Sequence, residues 1–414
     1  MSQRYPVFID GQRYGPDFQT KDEYKKGWQS VLRAAHGANR GIKAVGCGCP
    51  SQLPRPLYIR TRGDQFHLAC WPGMGSNHAK DCRYYSFDVQ RSGLQAYAEG
   101  VIQQSNNGML DIKLAHGATQ DGQQQLHNLV VSGSRYRQAA MSIHGLLHLI
   151  WQEAELSVWH PAMEGKRNFW VVSEYTSRAA DRIGNAKGNL GQVLVAPADK
   201  GSKRADRNNE VLATAYAKKR RVYILGVLAR YRDDQDSGLP ESPRFAKPFG
   251  YPRLFLSDTL LEQLNERYER EIQSWQGGER VVMLVQAQVQ QSKKTGRLYC
   301  RAEGAGMMMV SPQWIPAMSI DELALERSMR EAGRAFEKPM RFDSVDEVFP
   351  DFWMLDMGEP YPMEIWDCAS TIGQAKRSAK TDYYNKEFPD GWWQWDAAAG
   401  DAVPELPQKK GDQT

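Results

Sequence analysis

Between residues 47 and 82 the chain reads CGCPSQLPRPLYIRTRGDQFHLACWPGMGSNHAKDC, which holds four of its six cysteines and a histidine just ahead of the last of them. Soft donors this dense restrict a short segment more than a hydrophobic pattern can. Either the thiols are buried as free groups, or they close around an ion that fixes the loops carrying them. Leu57-Tyr58-Ile59-Arg60 and Gln65-Phe66-His67-Leu68 predict two strands joined across Arg62-Gly63-Asp64, a hairpin signal. Gly46 and Gly48 flank Cys47 and let the backbone fold tightly. Pro72-Gly73 and Gly75-Ser76-Asn77 predict a turn that delivers His78, and Cys82 follows one helical turn later. A knuckle, a hairpin and a returning ligand pair describe a zinc-ribbon-like module, in which Cys47, Cys49, His78 and Cys82 close around one structural Zn²⁺. Cys70 is then the spare thiol, and His67 on the same strand is the weaker alternative ligand.

The expected compartment agrees with metal-binding thiols. No apolar stretch is long enough to span a bilayer, and the opening MSQRYPVFIDGQRYG lacks the run of a secretory signal. The expectation is a cytoplasmic protein without a membrane partner, in which clustered cysteines serve a metal rather than disulfides. The net charge of +4 is too small to establish nucleic-acid binding by itself, so the distribution of charge must carry that argument.

A length of 414 residues predicts more than one domain. The reading is an α/β (α+β) multi-domain chain: an N-terminal region over 1–130 with its zinc module at about 44–90, an α/β middle over 131–312, a further domain over 313–400, and a disordered tail over 401–414. Residues 93–131 are rich in Gln, Asn and Gly and predict a helix followed by a linker. From Ser134 to Glu155 apolar residues recur at helical spacing. His144 and His148 on that helix have no acidic motif between them and read as a structural pair.

Leu190 to Ala196 predicts a buried strand, followed by a basic loop with Lys203, Arg204 and Arg207, a helix ending in Lys218-Lys219-Arg220-Arg221, and the strand VYILGVLARY. Those three cations are the candidates for gripping nucleic-acid phosphates. A solvated helical terminus is the equal alternative. The loop around Gly201 lacks the pattern of a phosphate-binding loop. Beyond it come a helix, DTLLEQLNERYEREIQSW, and two strands, VVMLVQAQV and RLYCRAEGAGMMMV.

The region 319–396 holds the remaining chemistry. Ser319 and Glu322 form a capping box opening a helix to about Gly333. Strands follow at Lys338 to Phe342, around Pro350-Asp351-Phe352, and at Tyr361 to Trp366; then come a helix within TIGQAKRSAKTDYYNK and the aromatic GWWQWD. Helix, strand, strand with Pro-Asp, strand with Glu, helix resembles the core of the PD-(D/E)XK, or restriction-endonuclease-like, superfamily.

That resemblance implies a fold in which Asp351 and Glu364 end adjacent strands and share Mg²⁺ that activates water against a phosphodiester. Glu326 is the matching acid of the first helix, with Glu322 one turn earlier. Where the family carries a lysine two residues after the glutamate, this chain has Trp366. The lysine that some members place on the next helix then corresponds to Lys380, with Lys376 in reserve.

The chain also resembles an uncharacterised bacterial family with N-terminal cysteines, encountered on conjugative and integrative elements. Cys47-x-Cys49, Pro72-Gly73-x-Gly75 before His78 and Cys82, Trp159-x-Pro161 to Lys166-Arg167, and Pro350-Asp351-Phe352 carry that likeness. The function these features predict is Mg²⁺-dependent cleavage of DNA, with DNA or RNA as partner. The alternative is an inactive nucleic-acid-binding or protein-scaffold component of a conjugation or defence complex.

Overall fold

The computed structural model describes residues 4–36, 45–51, 54–62, 65–70, 77–79, 82–84, 102–104, 110–114, 130–132, 135–137, 140–185, 188–232, 238–340, 350–357, 361–366, 371–388 and 391–409. They divide into two compact units, Met1–Gln95 with Gln104–Gly108, and Ala96–Gln103 with Met109–Thr414. The expected turn at 71–76 and most of the linker at 93–131 lie outside the described residues.

The first unit pairs β1 (Val7–Ile9) with β2 (Gln12–Tyr14) and with β3 (Val45–Cys47), all antiparallel. Helices α1 (Pro16–Thr20) and α2 (Lys25–Ala35) intervene. The anticipated hairpin is formed by β4 (Leu57–Arg62) and β5 (Gln65–Cys70). The core gathers Val7, Ile9, Trp28, Leu32 and Leu57 around Cys47, Cys49 and Cys82.

Short strands β6 (Ile102–Gln104), β7 (Leu110–Ile112), β8 (Val130–Ser132) and β9 (Arg135–Arg137) lead to α3 (Ile143–Glu153). The helix read from Ser134 onward begins later than expected, because the Ser142 hydroxyl accepts the Gly145 amide and caps it. Next come β10 (Val158–Trp159), α4 (Phe169–Arg182), β11 (Gly184–Asn185), β12 (Gly188–Asn189) and β13 (Leu194–Val195). The strand expected over 190–196 is shorter, since Asn189 caps a turn of 3₁₀ helix at Leu190–Gln192.

The predicted basic loop is helical: Ser202 caps α5 (Lys203–Ala217), which runs into β14 (Arg221–Val227). After β15 (Arg253–Phe255), the expected single helix is broken at Tyr268 into α6 (Asp258–Arg267) and α7 (Glu269–Gln276). The long hairpin of β16 (Arg280–Gln291) and β17 (Leu298–Val310) completes a sheet of order β13-β14-β16-β17-β15. Its core includes Val222, Ile224, Val281, Met283, Val285 and Met307; β18 (Pro316–Ala317) pairs with β17.

The capping box opens α8 (Ile320–Glu331), with the Glu322 amide donating to the Ser319 hydroxyl at 3.1 Å. Then follow β19 (Phe336–Glu337), β20 (Phe352–Met354), β21 (Tyr361–Ile365), α9 (Thr371–Glu387) and β22 (Trp393–Trp395). The sheet order is β10-β19-β20-β21-β22, antiparallel except for β21 and β22.

Three expectations change here. The first of these strands lies at Phe336–Glu337, where Phe336 enters the core; of the Lys338–Phe342 segment, residues 338–340 are not strand and 341–342 lie outside the described residues. The boundary drawn at 312/313 runs through one compact unit, with β10 from the middle segment forming an edge of the C-terminal sheet. Residues 401–409 of the expected disordered tail are docked: Val403 and Leu406 pack on the core, and the Trp393 and Trp395 indoles donate to the carbonyls of Glu405 and Asp401. Residues 410–414 lie outside the described residues.

Candidate functional site

In the first unit Cys47, Cys49, His78 and Cys82 are all buried, and one donor atom from each lies within 4.8 Å of the others. Cys47 Sγ stands 3.6 Å from Cys82 Sγ, while His78 Nδ1 is 3.5 Å from Cys49 Sγ and 3.6 Å from Cys82 Sγ. Donors arranged tetrahedrally around an ion with metal–sulfur bonds of about 2.3 Å stand roughly 3.8 Å apart, so these separations are those of a closed four-ligand site. The thiols are free rather than disulfide-bonded. Cys82 is pushed up to about 12 by its hydrogen bond with Cys47 and then by burial, and burial raises Cys49.

The local sequence explains the convergence. Gly48 donates to the Pro6 carbonyl at 2.8 Å, and a Cβ at this position would stand 2.9 Å from the same oxygen. Only glycine lets the two cysteines straddle that contact. A Cβ at Gly46 would meet nothing closer than 3.8 Å, so the tight turn needs one of the two glycines. His67 is exposed and outside the cluster, and the side chain of Cys70 lies outside the described residues. The four donors can hold a metal ion.

The second unit brings another part of the expected set together. Phe352 pairs with Met363, and both enter the core. Glu364, next to Met363 on β21, therefore alternates to the opposite face of the sheet, while Asp351 stands just ahead of β20. Both are buried. The Asp351 carboxylate accepts the Ile365 amide at 2.8 Å. Glu364 Oε1 receives Lys380 Nζ and Glu364 Oε2 receives the Tyr384 hydroxyl at 3.0 Å, so one face of α9 holds both carboxylate oxygens. Lys380 keeps 21% of its side chain exposed, against 4% for Glu364. The side chain of the reserve Lys376 lies outside the described residues.

Glu326 is not part of this arrangement. It accepts the Ser311 hydroxyl at 3.2 Å and ion-pairs with Arg330 at 3.7 Å, and burial raises its pKa. Glu322 instead completes the cap, accepting the Met318 amide at 2.8 Å and pairing with buried Lys338 at 2.7 Å. Among the described residues, the Cys/His cluster is the one group of three or more metal-ligating side chains close enough to hold an ion. Trp366, at the family's lysine position, is buried and donates its indole to Gln394 at 2.9 Å.

Tyr384 was missed by the sequence reading, though its signal was available: Lys380-x-x-x-Tyr384 spaces both residues onto one helical face.

The three candidate phosphate-gripping cations separate. Lys203 is exposed. Arg204 turns toward α4, where it ion-pairs with Glu174, donates to Ser177 and lies 5.7 Å over the Trp170 ring. Arg207 stands 3.5 Å from Asp181 and donates to the Gly191 carbonyl at 3.1 Å. Two of the three thus hold α5 against neighbouring segments. The His144 and His148 rings are 4.1 Å apart on α3. Among the described residues no helix is long and apolar enough to cross a membrane.

Comparisons with curated proteins and with solved structures returned no match. A family profile matches residues 17–398, most of the length, and the chain therefore belongs to the family described as "Protein of unknown function (DUF1173)".

Proposed function

We propose that the C-terminal part of this chain is a divalent-cation-dependent phosphodiester hydrolase of the PD-(D/E)XK type acting on DNA, and that the N-terminal cluster holds a structural zinc ion. The observation that carries the first reading is a pair of buried acids where β20 and β21 adjoin: Asp351, just ahead of β20, accepts the Ile365 amide, and Glu364 on β21 is held by Lys380 and Tyr384 from the helix that follows. The order α8, β19, β20, β21, α9 supports it, as does the lysine on the helix in place of Trp366.

The donor chemistry fits Mg²⁺, which takes one or two carboxylates and completes its shell with water and phosphate oxygens. Asp351 and Glu364 would hold it, and a cation bound there supplies charge for the phosphate and a more acidic water. Lys380 pairs with Glu364 and, being partly exposed, can face charge developing on the phosphate. Tyr384 fixes the rotamer of Glu364.

A biological setting in mobile-element or defence processes is part of the same proposal. The alternative, an inactive nucleic-acid-binding or scaffold protein of a conjugation or defence complex, draws on two observations. Both oxygens of Glu364 already have protein donors, and Trp366 is packed into the fold.

For the zinc reading, three sulfurs and one imidazole form the closed set that structural zinc prefers.

The test is cleavage of labelled single- and double-stranded DNA and of RNA with Mg²⁺ or Mn²⁺. Cleavage should appear with metal and vanish in both Asp351→Asn and Glu364→Gln while zinc content stays constant. Activity surviving both substitutions, or none on any substrate, removes the hydrolase reading.

A further inference from the structure

Six exposed cations surround one groove of about 1810 Å³ in the second unit: Lys219, Arg253, Lys293, Lys294, Arg297 and Arg301. They come from the end of α5, from β15, and from the β16–β17 hairpin with its loop. Among the described residues none of them ion-pairs with a carboxylate, in contrast with Arg204 and Arg207. The groove has two carboxylates, Glu241 and Asp258, and Asp258 lies in the first turn of α6, where helix amides attract it. Glu303, farther along β17, is neutralised by Arg221 and accepts Gln288. The groove therefore carries a local positive field that the modest net charge of the whole chain conceals.

Its floor is a sheet face. In the parallel pairing of β15 with β17, Arg253 lies opposite Tyr299 and Phe255 opposite Arg301. Paired residues share a face, so arginine and aromatic ring alternate in both directions across the edge of the sheet. Phe255 and Tyr299 meet edge to face at 5.8 Å, and Arg253 lies 5.0 Å over the Phe255 ring. The Tyr299 hydroxyl is held by Gln290 at 2.7 Å. The hairpin loop is ordered by the Ser292 amide on the Arg297 carbonyl and the Gly296 amide on the Ser292 carbonyl, with Gly296 at φ +68°. It presents Lys293 and Lys294 at the rim.

We infer that this groove binds single-stranded nucleic acid, its rim cations following the phosphates while unstacked bases lie on Phe255 and Tyr299. Half-buried rings recessed among cations suit bases already free of a duplex, since every base offers a π-face and a paired one does not offer it sideways. The inference takes the nucleic-acid substrate class from the proposed function and adds the form and the place of binding.

The experiment uses the full chain, a fluorescent oligo-dT strand and no added divalent cation, with Glu364→Gln as the background. Affinity should fall steeply with salt. Phe255→Leu with Tyr299→Leu keeps the apolar floor without the rings, and should weaken binding about tenfold or more with the salt slope unchanged. Arg253→Ala, Lys293→Ala, Lys294→Ala and Arg301→Ala combined should flatten the slope by roughly 0.7 for each phosphate no longer neutralised.

Ring-lacking protein that binds like the parent, a duplex of equal length bound as tightly as the strand, or no binding at low salt would each overturn the inference. Binding through this groove without any cleavage by the unmodified chain sinks the hydrolase reading alone. Cleavage of duplex by a protein indifferent to single strands sinks this inference alone.

Discussion

The Cys/His cluster and the Glu364 site are both buried polar constellations, yet they solve the problem of burial differently. In the cluster the donors touch one another: thiol faces thiol at 3.6 Å, and the imidazole lies between two sulfurs. At Glu364 the chain supplies its own counterion in Lys380 and its own hydroxyl donor in Tyr384. Buried polar groups are tolerated when paired and costly when not. The first site is thus a set of donors that can close around an ion, whereas the second is already paired by the chain itself. Metal should accordingly be a condition of folding for the first unit and a condition of activity for the second.

The largest effect should come from removing a thiol. Cys49→Ser or Cys82→Ser should abolish the one zinc per chain and unfold the first unit, because structural zinc in small modules contributes about 10–16 kcal/mol of apparent binding energy. Metal analysis and limited proteolysis would read this. His67→Ala, at an exposed position off the cluster, should change neither. Full zinc retention in both cysteine variants would break the comparison at its first term.

That unit was legible because its signal is local: the hairpin, the cysteine pair and the His-x-x-x-Cys return all fall within a short stretch. The capping box at Ser319 was legible for the same reason. What sequence could not supply are choices made by distant partners. Trp159 joins β10 to β19 because Phe336 and Trp159 share a core far apart in the chain. Arg204 looks like its neighbour Lys203 in sequence, but Glu174 and Ser177 decide which of them turns inward. The docked tail depends on indole donors that find carbonyls at Asp401 and Glu405. Lys380 was found through a resemblance, while Tyr384, one turn on, needed the structure to give it a partner.

At the second site the comparison is sharpened by rate rather than by folding. Lys380→Ala should slow metal-dependent cleavage by about 10²-fold or more, the usual cost of losing one charge-stabilising group. Tyr384→Phe should cost less, about tenfold, since it removes one neutral hydrogen bond to a carboxylate that Lys380 still holds. Neither should change zinc content. Equal rates for the parent and Lys380→Ala would move the ion pair to a purely structural role.

A smaller effect is expected at Gly48→Ala. The new Cβ would meet the Pro6 carbonyl and the Phe8 ring, each 2.9 Å away, so the first unit should lose about 1–3 kcal/mol while still binding zinc. Gly46→Ala, with its nearest neighbour at 3.8 Å, is the control and should cost well under that. Urea midpoints of the zinc-loaded proteins would separate the two.

The last test concerns a carboxyl that follows neither solution, and it is read in the shape of a pH profile. Glu337 pairs across the sheet with Trp353 and so shares its face, but its carboxyl makes no hydrogen bond or ion pair with a described residue. Burial pushes it up to about 7 from the ordinary 4.5. The folded state then keeps a proton that the unfolded chain releases, so across that interval folding binds protons and stability falls as pH rises. The loss begins near 4.5 and is complete once pH passes about 7. Glu337→Gln holds the neutral form at every pH, so its urea midpoint should fall less than the parent's between pH 5 and pH 8 and stand above it at the upper end. If the two curves run parallel, Glu337 is ionised in the fold, served at its half-buried position by water or by a cation on this face as Lys380 serves Glu364.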